Sequence, residues 1–308
     1  MILTLTLNPA IDRTLTVDRL AFEDRAYINS STDSAGGRGI NASRVIHSFG
    51  GSTMAIVPSG GPNGQRFQDF LRAEKFKAEV VPIRQEIRTN LTITDRQGLT
   101  VKLNEHGPKL TKAELSGVEK VVRTWLPDAD WILLCGSLPP GVPSDFYARM
   151  IELARKEEVK TLLDTDGPAF AEGIRARPTV VFPNRHEAEQ LLDTVLLTRR
   201  QSLDAAQTMA EMGAEGVVLS LGSRGAVGVT GSIKWEALAP PVDALCPIGA
   251  GDALAAAFAW SRDNGTDFAE ALRWGVAAGT ASACLPGMNF ASYEQTSELL
   301  PRVELREA

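Results

Sequence analysis

The stretch CPIGAGDALAAAFAW, Cys246–Trp260, places three small residues, Gly249, Ala250 and Gly251, ahead of a single acid, Asp252. A run of helix formers follows at once. A helix start gathers unpaired amides and the positive end of the peptide dipole, and glycines let an anion approach the backbone closely. Two readings are open. Asp252 is an acid that only favours the helix terminus, or it is a base held beside a bound phosphate. In an open α/β sheet, ligands bind beyond the carboxyl ends of the strands. The rest of the chain therefore has to supply that sheet.

It does. ILTLTL (Ile2–Leu7), TMAIVPS, WILLC, TLLD, TVVF and GVVLSL are short apolar runs. Helical patterns such as INASRVIHSFG, NGQRFQDFLRAEKF and SDFYARMIELARKEE separate them. Repeated strand–helix units predict an α/β fold, with a mostly parallel central sheet and helices on both faces. Two stretches break the pattern. Residues about 12–34 and about 88–105 alternate apolar and polar side chains with no helix between, and the second carries a turn at Asp95–Gly98. They predict a small β-sheet lid built from two insertions in one domain spanning 1–308.

The chain has 308 residues, 44% hydrophobic and 23% charged, with a net charge of −6. That is ordinary for a globular protein with a sizeable core. It argues against a nucleic-acid binder, which would carry an excess of basic residues. The three cysteines, Cys135, Cys246 and Cys284, are scattered and odd in number, as in a reducing compartment. The expectation is a cytoplasmic protein with no membrane span. His47, His106 and His186 lie too far apart in sequence to suggest a histidine metal site.

Seven motifs occur in order: TLNPAID (Thr6–Asp12), AGGRGINASRV (Ala35–Val45), IRTNLTI (Ile87–Ile93), CGSLPPGVP (Cys135–Pro143), FPNRHEAE (Phe182–Glu189), SLGSRGA (Ser220–Ala226) and IGAGDALAAAF (Ile248–Phe258). Together they resemble the PfkB group of ribokinase-like carbohydrate kinases over nearly the whole chain. TLNPAID, the RTN strand and NEHGP point within it to the 1-phosphofructokinase and tagatose-6-phosphate kinase branch. The resemblance implies transfer of the ATP γ-phosphoryl group to a hydroxyl of a phosphorylated ketohexose. Fructose 1-phosphate is the first acceptor to consider; tagatose 6-phosphate and fructose 6-phosphate are the alternatives. A regulator that kept the sugar pocket without catalysis would be expected to lose Asp252 or its glycines. A Rossmann dehydrogenase would need G-x-G-x-x-G after the first strand, which is missing.

The resemblance assigns roles, and each has a physical reason. Asp252 is the base, and the amides of Gly249, Ala250, Gly251 and Asp252 meet the transferring phosphoryl oxygens. Ser220, Gly222 and Gly225 lie along the ATP phosphates and ribose. Asn184 and Glu187 form an Asn-x-x-Glu pattern that caps a helix. In the family Glu187 also lies near Mg²⁺, through water, an ion that needs few protein ligands. Asp12, Gly36, Gly37, Arg38 and Asn41 make the sugar site. Arg38 replaces a lysine common in relatives, and its guanidinium suits a sugar phosphate bidentately. Arg88 grips the phosphate already on the sugar, with Asn90, and less firmly Lys102 and Asn104, at even spacings that share a strand face. An exposed lid sheet is a liability unless covered, which predicts a homodimer through the lid.

Overall fold

The computed structural model describes residues 1–21 and 24–308. The main sheet has ten strands. Its parallel part runs β5 (Lys77–Pro82), β4 (Thr53–Ser59), β1 (Ile2–Thr6), β8 (Trp131–Cys135), β9 (Lys160–Asp164), β10 (Val180–Val181) and β11 (Gly216–Ser220). Three antiparallel strands, β12 (Ala226–Thr230), β13 (Ile233–Leu238) and β14 (Glu304–Glu307), extend one edge.

The burial of β1 on both faces explains its unbroken apolar character. Leu3 and Leu5 join Ile132 and Leu134 in a core under α3 (Lys112–Trp125), α4 (Phe146–Lys156), α5 (Gly167–Arg175) and α7 (Arg199–Glu211). Ile2 joins Trp131 and Leu133 on the opposite face, under α1 (Arg38–Ser48), α8 (Ala250–Asp263) and α9 (Phe268–Ala283). The alanines of α8 and α9 let these two helices approach closely; Ala253 and Ala255–Ala257 are all buried. The expected helices on both faces are present. Among the described residues no helix is long and apolar enough to cross a membrane.

The lid is a separate four-stranded sheet in the order β3 (Ile28–Gly36), β2 (Ala10–Val17), β6 (Arg88–Asp95), β7 (Thr100–Asn104). The expected insertion 12–34 includes Phe22 and Glu23, which lie outside the described residues. The turn at Asp95–Gly98 is present: Gly98 N–H donates to Asp95 O at 3.0 Å. The Asp95 carboxylate accepts from the N–H groups of Leu20, Gln97 and Leu99, so an acid in the lid serves its own backbone. Asp33 on β3 receives both Arg13 and Arg66, which ties the lid to α2 (Gly61–Ala73).

Candidate active site

The parallel strands all deliver their carboxyl ends to one edge of the sheet. Asn8 follows β1, Ser137 follows β8, Asp164 ends β9, Asn184 follows β10 and Ser220 ends β11. The lid strands β2 and β3 leave and return beside the same edge.

Gly249, at φ 80°, opens α8, and Asp252 lies in its first turn. The Asp252 side chain makes no cap to its own helix. It accepts instead from Asn41 Nδ2 of α1 at 2.7 Å. Asp252 is thus both the acid in the first turn of α8 and the partner of a neighbouring helix. Burial first, and the nearby Asp164 carboxylate second, push the Asp252 carboxyl up to about 7. The Asn41 hydrogen bond and the Arg38 charge act in the opposite direction. A Cβ added to Gly251 would meet nothing within 4 Å, so the backbone beside the acid is open.

On one side of Asp252 lies a cleft of about 810 Å³. Ser220, Gly222 and Gly225 line it, together with the apolar walls Pro241, Val242 and Val276. The loop is a short 3-10 turn, with Leu221 N–H donating to Gly225 O at 2.8 Å. Gly225 is required there: its φ is 88°, and a Cβ would sit 2.0 Å from Ala237 O. Asn184 and Glu187 form the expected reciprocal cap on α6 (Arg185–Leu192), each backbone N–H bonded to the other's side chain at 2.9 Å.

On the other side lies the lid. Register pairs Asp12 with Asn90, Asn90 with Asn104, and Thr92 with Lys102. Arg88, Asn90, Lys102 and Asn104 thus share the face of Asp12. Asn90 Nδ2 donates to Asp12 Oδ1 at 2.8 Å. Burial raises the Asp12 carboxyl, and the Asn90 bond and the Arg88 charge oppose it. A Cβ on Gly36 would fall 2.1 Å from the Asp12 carboxyl carbon, so glycine is what lets this strand crossing close. Arg88 donates to Glu105 O at 2.8 Å and Asn8 O at 3.1 Å. Both partners are carbonyls; among the described residues no carboxylate forms a salt bridge with it, and the charges of Asp12, Asp166 and Glu105 act on it without a salt bridge. Its Nε, Asn90 Oδ1, Asn8 Oδ1 and Thr6 Oγ1 are buried without a protein partner among the described residues. Buried polar atoms nearly always have a partner, so each of these four calls for an explanation.

Arg38 differs from expectation. Its guanidinium donates to Asp164 at 2.7 Å, Glu187 at 3.2 Å and Asp166 at 3.3 Å. The Asp164 charge holds it firmly protonated. It therefore bridges three carboxylates, whereas Arg88 meets only backbone carbonyls. Asp164 and Asp166 were not singled out in the sequence, although TLLDTD ends a strand in two acids. Their oxygens and Glu187 are hard donors of the kind Mg²⁺ takes. Among the described residues no group of three or more His, Cys, Asp or Glu is arranged to hold a metal.

The pfkB family carbohydrate kinase model matches residues 5–295. The chain belongs to this family. It is 32% identical over 93% of its length, and 85% of the relative's, to the ATP-dependent 6-phosphofructokinase isozyme 2 of Mycobacterium tuberculosis. It is 27% identical over 100% of its length, and 99% of the relative's, to the 1-phosphofructokinase of Borreliella burgdorferi. Phosphofructokinase-2 from Escherichia coli, in complex with substrates and products, superposes at a TM-score of 0.90 with 28% identity, covering 98% of this chain and 99% of that one. The fold of this family member is ribokinase-like, with a ribokinase from Arabidopsis thaliana among its structural neighbours. Of the motifs read in the sequence, TLNPAID follows β1 into β2, FPNRHEAE follows β10, SLGSRGA follows β11 and IGAGDALAAAF opens α8.

Proposed function

We propose that this chain is an ATP-dependent kinase of a ketohexose phosphate, with fructose 1-phosphate as acceptor and fructose 1,6-bisphosphate as product. The observation that carries the sugar-phosphate reading is Arg88: a partly buried guanidinium on the lid, held by two carbonyls, with an unpaired Nε and, among the described residues, no salt bridge. A neutral sugar would not need that charge.

The mechanism follows from position. ATP lies in the cleft, its base between the apolar walls and its phosphates along Ser220, Gly222 and Gly225. The sugar rests on Asp12, Gly36, Gly37 and Asn90, its phosphate on Arg88. Asp252 stands between them, accepts the proton of the attacking hydroxyl, and the amides of Gly249–Asp252 receive the phosphoryl oxygens. Asp164, and Glu187 through water, would hold Mg²⁺, which when bound neutralises phosphate charge. Arg38 keeps their carboxylates gathered. Closure of the lid excludes water, so ATP is not hydrolysed.

A second acceptor has its own support: the M. tuberculosis relative is a 6-phosphofructokinase at 32% identity. A coupled ADP-release assay against fructose 1-phosphate, fructose 6-phosphate and tagatose 6-phosphate decides among them. Turnover of ribose or fructose in preference to all three would remove the phosphate-reading role of Arg88. The proposal includes a homodimer through the lid. Tyr27, Ile28, Leu99 and Leu103 are each more than half exposed there, and a single molar mass of one chain in light scattering would reject it.

A further inference from the structure

The mechanism above leaves one charged residue of α1 without a role. Arg44 lies one helical turn beyond Asn41, with its side chain mostly buried at 18% exposure. It makes three sets of contacts. Its Nε donates to Glu74 Oε1 at 2.7 Å, just past the end of α2. Its Nη2 donates to Ala35 O at 2.7 Å, on the last turn of the lid strand before Gly36. Its Nη1 donates to Asn41 Oδ1 at 3.0 Å. Asn41 in turn donates through Nδ2 to Asp252 at 2.7 Å.

An asparagine amide has an acceptor at one end and donors at the other, and the two ends are nearly the same size. Nothing in Asn41 alone decides which end faces Asp252. Turned over, it would set a carbonyl oxygen against the carboxylate. A guanidinium has only donors, so Arg44 can donate only to the oxygen end. The amide nitrogen is thereby aimed at Asp252. Glu74 fixes Arg44 from behind, and the Ala35 contact ties the same group to the lid.

We propose that Arg44 is a positioning residue for phosphoryl transfer, acting through a Glu74–Arg44–Asn41–Asp252 chain that locks the Asn41 amide as a donor to the base. The inference rests on the reading of Asp252 as that base. Its consequence is electrostatic. The charged groups facing Asp252 are Asp164 from β9, Asp12 from β2 and Arg38 from α1. The two acids favour the proton, and Arg38 and the Asn41 amide oppose it. Loss of the fixed donor leaves the acids less opposed, and the base holds its proton to higher pH.

The test is a pH profile of kcat/KM for wild type, Arg44→Met, Arg44→Lys, Glu74→Gln and Asp252→Asn. The acidic limb of Arg44→Met moves alkaline by about one unit, so activity at pH 6.5 falls about tenfold. KM for ATP stays unchanged, because Arg44 touches no part of the nucleotide cleft. Arg44→Lys recovers part of the shift, and Glu74→Gln gives a smaller shift in the same direction. If Arg44→Met fails to fold, the Glu74→Gln limb decides. The ¹³C carboxyl titration of Asp252, assigned by its loss in Asp252→Asn, reports the same shift without turnover. An inactive Asp252→Asn with unmoved limbs in both Arg44→Met and Glu74→Gln overturns the role of Arg44 alone. A fully active Asp252→Asn overturns the base reading, and the Arg44 proposal goes with it.

Discussion

The two sides of Asp252 are built differently. The side we propose for the nucleotide is mostly backbone: the turn at Ser220–Gly225, the helix start at Gly249 and an apolar slot. Its groups follow one another along the chain and hang on a packed parallel sheet. The side we propose for the sugar is mostly side chains: Asp12, Asn90 and Arg88, carried on two strands whose paired residues Asp12 and Asn90 lie 78 residues apart in sequence and are brought level by register. Backbone recognition tolerates changes in side chains but not in glycine. Side-chain recognition is the reverse, and it can change acceptor without disturbing the nucleotide.

The largest effect tests what the two sides share. Asp252→Asn keeps the shape and removes the base. A base contributes about 10²–10⁴ in rate, so kcat falls by about a thousandfold while ATP still binds in calorimetry. A loss of less than tenfold would mean that the two sides meet elsewhere. In the wild type, kcat/KM rises with pH toward a plateau through about 7, the pH where the buried carboxyl gives up its proton. A limb near pH 4 would show that burial does not act on Asp252 as described.

Arg88→Leu probes the sugar side. It removes a charge-assisted contact with the sugar phosphate, so KM for the acceptor rises about a hundredfold, or about 2.7 kcal/mol. KM for ATP moves little. Equal rises in both constants would break the division of labour between lid and cleft.

How much of this was legible in the sequence follows the same division. The Asn184–Glu187 cap was readable because its partners are neighbours three residues apart, and GAGD because its small residues and acid sit together at a helix start, although the partner of Asp252, Asn41, lies 211 residues away. The β-rich lid was readable from its alternation, and Asn90 and Lys102 from even spacing. The resting partners of Arg38 were not legible because Asp164, Asp166 and Glu187 lie 126 to 149 residues away. No local pattern says which carboxylates a guanidinium will find. Arg44 was invisible for a further reason. Its effect passes through Asn41, and a residue that acts through another leaves no motif of its own.

Gly251→Ala sharpens the comparison with a smaller effect. A Cβ there meets nothing within 4 Å, so the melting temperature stays within about 2 °C of wild type, as for substitutions that touch no packed feature. The methyl group would nevertheless stand where phosphoryl oxygens approach, and KM for ATP rises about tenfold. Gly225→Ala is the control. Its Cβ collides with Ala237 O at a positive φ, so it lowers both stability and ATP affinity. If Gly251→Ala leaves ATP untouched, the open backbone beside Asp252 is not where the phosphates lie.

The smallest effect concerns what the site costs the fold. The Asp252 carboxyl titrates higher in the folded chain than an ordinary aspartate. Between about pH 4 and 7 the folded state therefore binds more protons than the unfolded chain. Stability contributed by this group is fully present below the ordinary carboxylate range and is lost as pH rises through about 7. Asp252→Asn removes that slope. At pH 8 the variant melts about 2–4 °C above wild type, and at pH 4 the two coincide. Opposite behaviour, with the variant weaker at pH 8, would mean that the ionised carboxylate is held by donors in the resting protein. The Asn41 amide would then more than offset burial and Asp164, and the base would be poised by hydrogen bonding and not by desolvation.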